Sequence, residues 1–236
     1  QSGRTVTVVA VSAPQVLSLG ARGELDVLLV DAGEDASTYM VAGHGIDRRP
    51  VLHADDILIG PRSDPAGVIG VATAEVALRR IADAGADWIS RGDNSALHQA
   101  ERRLWFAAGV NPVEMPWYSA LGQGMAPTLA AATERQAYAL ADRQSYLEQR
   151  DRLDLAVLVQ GALDLLRTYD VFVVNPARGV QIDEAGARAF ADFLVGPEAQ
   201  AVIGTHGVDR FGAPLFAPGA RSGASTGVPA RRSGPL

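Results

Sequence analysis

Apolar residues fall along the chain in short blocks whose period alternates between two and about 3.6, the spacings of strand and helix. The β-branched run Thr5-Val6-Thr7-Val8-Val9-Ala10-Val11 predicts a strand over 5–11, and a short helix follows over 14–19. Gly23 punctuates, and Asp26-Val27-Leu28-Leu29-Val30 predicts a buried strand over 26–30. A helix over 36–42 ends at Gly43, an extended strand occupies 51–60, and a turn-rich loop occupies 61–67. The helix over 73–84 carries Val76, Leu78 and Ile81 as its apolar stripe, with Gly85 as cap. A strand over 88–90 precedes a helix over 95–108. Residues 117–121 lead into Gly122-Gln123-Gly124-Met125 and a helix over 127–136. A strand over 137–142, a helical turn over 144–148, strands over 153–159 and 171–174, and helices over 184–194 and 198–204 complete the series. This alternation predicts an α/β protein with a parallel sheet and helices on both faces.

Two turns stand out against the apolar blocks. Trp88-Ile89-Ser90-Arg91-Gly92-Asp93-Asn94-Ser95-Ala96-Leu97-His98 reads as a strand end, a tight polar turn and the first turn of a helix. Such a turn aims free backbone N–H groups and the positive end of a helix dipole at one spot. Arg91 adds a fixed charge and a planar fork of donors suited to an oxyanion. In the second turn, Gly122 and Gly124 let the backbone approach a ligand. Both turns are expected at strand carboxyl ends, the face on which open α/β sheets bind ligands. An anion cradle with no attached chemistry points to binding rather than catalysis.

Composition narrows the classes further. The 236 residues suffice for one large α/β domain or two small lobes, and 47% hydrophobic residues support a substantial core. A net charge of −6 and a pI near 5.2 argue against nucleic acid as a main partner. Every Lys/Arg position is Arg, which with abundant Ala and Gly suggests a GC-rich genome rather than a mechanism. Cysteine is absent, so disulfides, thiolate metal sites and Cys nucleophiles are excluded. No run approaches the roughly 18 apolar residues needed to span a bilayer. The chain opens on Gln1-Ser2-Gly3-Arg4 with no leader, which leaves a cytoplasmic protein or one whose leader has been removed. Residues 219–236, rich in Gly, Ser, Pro and Arg, read as a flexible tail.

The candidate residues also have structural roles open to them. Arg91 can bridge Asp93 or cap a neighbouring helix, and Asp93 and Asn94 suit N-cap and Asx-turn positions. The Ser95 hydroxyl can cap the helix or reach an anion. His98 shares a helix face with Ser95, but no acid is placed to orient it, so a Ser/His nucleophile pair is disfavoured. His44, His53 and His206 lack metal-ligand spacing. Asp142-Arg143 reads as an ion pair or turn, with framing of the cleft as its functional alternative. Trp88, Trp105 and Trp117 read as core.

Taken in order, residues 90–98, Leu104-Trp105, Trp117-Tyr118, residues 122–125 and residues 138–147 resemble the tungstate-binding proteins of bacterial ABC transporters, close to the molybdate-binding proteins. Gly20, residues 26–30, Arg48-Arg49, residues 56–61 and 64–67, residues 155–176, Phe193-Leu194 and Pro197-Glu198 extend the likeness over roughly residues 5–218. The resemblance implies a type II periplasmic-binding-protein fold, two α/β lobes with a ligand cleft between them. Residues 1–60 and 166–218 would form the outer lobe and 61–165 the inner lobe, with crossovers near 58–61 and 161–169. It implies an extracytoplasmic solute-binding protein, periplasmic or membrane-anchored, that holds a tetrahedral oxyanion, tungstate or molybdate, by hinge closure. No enzymatic turnover and no cofactor are expected. The partner would be the permease of an ABC importer, and the protein itself a monomer. The implied ligand set is Arg91, Ser90, Ser95, Ser12, Gly122, Gln123, Gly124 and Met125. A site made only of donors would disfavour phosphate, which can be protonated.

The chain departs from that pattern in three places. It starts at what resembles the second strand, so one βα unit, very roughly 30 residues, is missing, as in a fragment or trimmed sequence. Ser12-Ala13-Pro14 stands where the family has a Gly-Thr-Gly-like turn, and Pro14 removes an N–H donor. Ala96-Leu97 replaces Gly-Thr, with loss of a hydroxyl. Two other functions carry different signatures: a cytoplasmic oxyanion-sensing domain of a transcriptional regulator, and a hydrolase built on Ser95 and His98.

Overall fold

Two long antiparallel strands dominate the computed structural model, which describes residues 3–178 and 181–220. An extended segment, 4–11, leads into α1 (Ala13–Ala21), β1 (Val27–Asp31), α2 (Glu34–Val41) and β2 (Gly45–Gly60). Next come α3 (Ala74–Ala84), β3 (Trp88–Ser90), α4 (Ala96–Ala107), β4 (Tyr118–Ala120) and α5 (Met125–Arg135). β5 (Ala139–Asp142), α6 (Arg143–Gln149), β6 (Ala156–Val159) and β7 (Leu166–Val174) follow. The described chain closes with α7 (Glu184–Val195), α8 (Pro197–Thr205), α9 (Val208–Phe211) and β8 (Phe216–Pro218).

β2 pairs with β7 from Gly45↔Val174 to Asp55↔Leu166, and its far end pairs with β5 and β6. One strand thereby joins two cores. The largest buried cluster draws its members from residues 57–165, including Ile57, Leu58, Trp88, Trp105 and Leu129. Two smaller clusters lie on opposite faces of β7. Phe172 and Val174 pack with Leu28, Val30 and Tyr39, whereas Val171 and Val173 pack with Val51, Ala187 and Ala191. This is the period-two alternation of a strand buried on both faces.

Local chemistry sets the helix limits. The Thr73 hydroxyl accepts from the Val76 amide at 3.3 Å to start α3, and Gly85 ends it at φ +59°. The buried stripe of α3 is Ala74, Ala77, Leu78 and Ile81, a register that leaves the expected Val76 38% exposed.

Three expectations need correction. The sheet is not parallel: β1, β2, β5, β6, β7 and β8 all pair antiparallel, and only β3 and β4 form a parallel ladder. A parallel pair needs a crossover, which α4 supplies between β3 and β4, while β7 returns directly alongside β2. Residues 4–11 form no strand despite their β-branched pattern; Val6, Val8, Val9 and Val11 are exposed. A strand exists only where another backbone accepts its ladder, and no described residue offers one there. Finally, Gly219 donates to the Val51 carbonyl and Ala220 to the Gln200 side chain, so these two residues belong to the fold. The remainder of the expected tail lies outside the described residues.

Candidate functional site

Ser90, the last residue of β3, is buried. The backbone then turns through Gly92 at φ +64°, where an added Cβ would lie 2.9 Å from Ala120 Cβ and 3.1 Å from the Gly122 nitrogen. Only glycine lets the two turns approach this closely. They are also bonded: Leu121 N–H donates to the Ser90 carbonyl and Gln123 N–H to the Arg91 carbonyl, each at 3.0 Å.

Beyond Gly92, Asp93 organises the turn. Its Oδ2 accepts from Arg91 Nε at 3.1 Å and from Arg91 Nη2, while its Oδ1 accepts from the Ser95 amide at 3.1 Å and the Ser95 hydroxyl at 2.7 Å. Burial pushes the Asp93 carboxyl upward, but the donors from Arg91 and Ser95 outweigh it and hold the group at about 2. Arg91 is therefore aimed by a carboxylate that stays ionised. Its Nη1 has no partner among the described residues.

Ser95 is the N-cap of α4 and accepts from the His98 amide at 3.4 Å. The Ala96 and Leu97 amides, the first of the helix, have no partner among the described residues. These residues form one wall of a cavity of about 320 Å³, lined there by Arg91, Ser95, Ala96 and Leu97. β2 contributes Ala54 and Asp55, and the β5–α6 junction contributes Asp142, Arg143 and Gln144. β7 adds Arg167 and Tyr169, while Leu215 and Phe216 supply an apolar edge.

Each arginine on the cavity has its own carboxylate. Arg143 pairs with Asp55, and its Nη2 also donates to Gln160 Oε1 at 2.9 Å. Arg167 grips Asp56 through Nε and Nη2 at 2.8–3.1 Å, and its Nη1 reaches the Tyr169 hydroxyl at 3.3 Å. Burial raises the Asp56 carboxyl to about 6 despite that pairing, with Asp142 and Asp55 pushing the same way.

The sequence-derived ligand set divides in this geometry. Arg91 and Ser95 line the cavity; Ser90 does not. The Ser90 hydroxyl donates to Glu101 Oε2 at 2.9 Å and accepts from the Gly92 amide at 3.2 Å, because β3 alternation turns it into the core. Gly122, Gln123, Gly124 and Met125 form no part of the wall: Gln123 N–H supports the Arg91 carbonyl, and Met125 is buried in the core. Ser12 starts α1, donates to Gln15 Oε1 at 2.9 Å and lies off the cavity. Nor is the wall made only of donors, since Asp55 and Asp142 both line it. Asp142 and Arg143 do not pair with each other; Asp142 caps α6 by accepting from the Ser145 amide at 2.8 Å.

The nucleophile reading fails on geometry. Ser95 gives its hydroxyl proton to Asp93, and His98 Nδ1 accepts from the Asn94 amide at 2.9 Å. Burial lowers the His98 pKa, with Arg102 and Arg91 adding to the effect against Asp93. His53 bonds Thr168, His206 stacks on Phe216, and no cluster of three metal-ligating side chains occurs among the described residues. Sequence reasoning missed Asp55, Asp56, Arg167 and Tyr169. The available signal was a pair of acids directly before the apolar run Ile57-Leu58-Ile59 of β2.

The chain as a whole is similar to known proteins. A family model described as a PBP superfamily domain matches residues 1–198. The chain is 38% identical over 221 residues to the tungstate-binding protein TupA of Peptoclostridium acidaminophilum, covering 93% of this chain and 77% of that one. Among solved structures, the tungstate binding protein TupA from Desulfovibrio alaskensis G20 superposes with a TM-score of 0.86 at 34% identity, covering 90% of this chain and 86% of that one. The tungstate ABC transporter structure from Geobacter sulfurreducens gives 0.68 at 39% identity, covering 83% of each chain. The α/β periplasmic-binding-protein fold expected from the sequence is the fold observed. The chain belongs to the PBP superfamily and, within it, to the family of the tungstate-binding proteins TupA.

Proposed function

We propose that this chain is the extracytoplasmic solute-binding component of an ABC importer, and that its ligand is a tetrahedral oxyanion, tungstate foremost. The observation that carries this reading is one cavity wall on which the free Nη1 of Arg91 lies with the unpartnered amides of Ala96 and Leu97. Relatives named for tungstate binding and for ABC transport support it.

An oxyanion entering this wall exchanges water for fixed donors. The α4 amides and helix dipole complement negative charge, and Arg91 adds a charge-assisted bond without moving, because Asp93 already fixes its orientation. Ser95 is spent on Asp93, so the backbone amides do the work a hydroxyl would share at position 97. The ligand is held, not transformed, and no cofactor takes part. Residues 1–60 with 166–218 and residues 61–165 act as the two lobes, hinged where β2 and β7 pass between the cores. The closed form is then presented to the membrane permease.

Calorimetric titration with tungstate, molybdate, sulfate and phosphate tests this reading. The expected result is saturable tungstate binding that weakens at least tenfold in Arg91→Ala, since a hydrogen bond to a charged group contributes about 1.5–3 kcal/mol. A folded chain that binds none of the four overturns it.

A further inference from the structure

The same cavity carries a second guanidinium, Arg143, which the sequence offers only as an ion-pair or turn residue or as a frame for the cleft. We propose that Arg143 is a second cationic ligand of the bound oxyanion, with Asp55 as the carboxylate that holds it in place. This inference rests on the oxyanion reading above and extends it to a specific residue.

Arg143 and Arg91 line the same cavity, and each side chain is 19% exposed. Both are built alike. In Arg91, Asp93 takes Nε and Nη2 and leaves Nη1 free; in Arg143, Asp55 and Gln160 take Nη2 and leave Nε and Nη1 without a partner among the described residues. Arg167, the third guanidinium on the cavity, is different. Its Nε, Nη1 and Nη2 are all bonded, to Asp56 and Tyr169. Donor supply thus singles out Arg143 over Arg167.

The tether comes from three places in the chain. Arg143 begins α6, Asp55 lies on β2, and Gln160 follows β6. A guanidinium held this way has lost its rotamer freedom before a ligand arrives, so little ordering cost remains on binding. A dianion taken from water also needs more compensating charge than one arginine offers. Asp55 has a second consequence. Its negative charge lies on the cavity and competes with the anion for Arg143, so it limits affinity while fixing geometry.

This opposition gives a double-mutant test, titrating tungstate into the wild-type chain, Asp55→Asn, Arg143→Gln and the double variant, with circular dichroism to confirm folding. Asp55→Asn is expected to bind several-fold more tightly, because it removes a competing charge. Arg143→Gln is expected to lose roughly 10- to 100-fold, and the double variant to stay within a few-fold of Arg143→Gln. Recovery of wild-type affinity in the double variant overturns the proposal, since Arg143 would then serve only to neutralise Asp55. Unchanged tungstate affinity in both folded Asp55→Asn and folded Arg143→Gln overturns it too. No binding by the wild-type chain overturns the oxyanion reading and this one together. Binding lost in Arg91→Ala but restored in the double variant overturns this one alone.

Discussion

Glu101 lies against Ser90 at the base of the Arg91 turn, 2% exposed, and forms no ion pair among the described residues. Its carboxylate accepts from Trp88 Nε1 at 3.0 Å, the Tyr118 hydroxyl at 3.0 Å and the Ser90 hydroxyl at 2.9 Å, which ties α4 to β3 and β4. Burial raises its pKa from 4.5 to about 7, against the pull of those donors. A carboxyl raised in the folded state contributes stability that is complete below pH 4.5 and is lost as pH rises through about 7. Asp56 acts with the same sign between 3.8 and about 6, so the loss near pH 7 belongs to Glu101. Urea midpoints measured across this window should fall with pH in the wild-type chain and fall less in Glu101→Gln. An equal slope in both would refute that assignment. Asp93 has the opposite sign: held at about 2, its contribution is present above pH 3.8 and disappears as pH falls through about 2. At this scale the sequence was legible where partners are close in the chain, as with Arg91, Asp93 and Ser95. Arg143 with Asp55 and Arg167 with Asp56 were not, because 88 and 111 residues separate them.

The approach of the two turns depends on α4 and Gly92. Ser95→Ala removes the helix cap and is expected to cost about 1 kcal/mol, or roughly 2–4 °C in melting temperature for a chain of this size. Gly92→Ala should cost more, about 1–3 kcal/mol for the left-handed backbone alone, and its Cβ would also push Ala120 and Gly122 away. If Gly92→Ala melts like the wild type, the close approach of the turns is not needed for stability. Caps and stops were readable at this scale, since Thr73 and Ser95 accept from amides three residues on and Gly85 donates to carbonyls three and four residues back. The 5–11 strand was not, because β-branched propensity describes a willing strand without supplying its neighbour.

Across the whole molecule, β2 and β7 decide what the site becomes. Their antiparallel run brings Ala54 and Asp55 to the same cavity as Arg167 and Tyr169, and it joins the core of residues 57–165 to the two smaller ones. The likeness to a two-lobed binding protein was visible in dispersed motifs, whereas strand direction was not, because an apolar block reads the same either way. Hinge closure around the ligand should lower the radius of gyration in small-angle scattering when tungstate is added, and Arg91→Ala should abolish that change; identical curves with and without tungstate would argue against closure. The central claim is that the oxyanion sits on the Arg91 wall, and tungsten anomalous scattering from crystals grown with tungstate tests it most directly. The expected result is one strong peak whose oxygens lie about 3 Å from Arg91 Nη1 and the amides of Ala96 and Leu97. A peak away from that wall, or none in a chain that still folds, would contradict it.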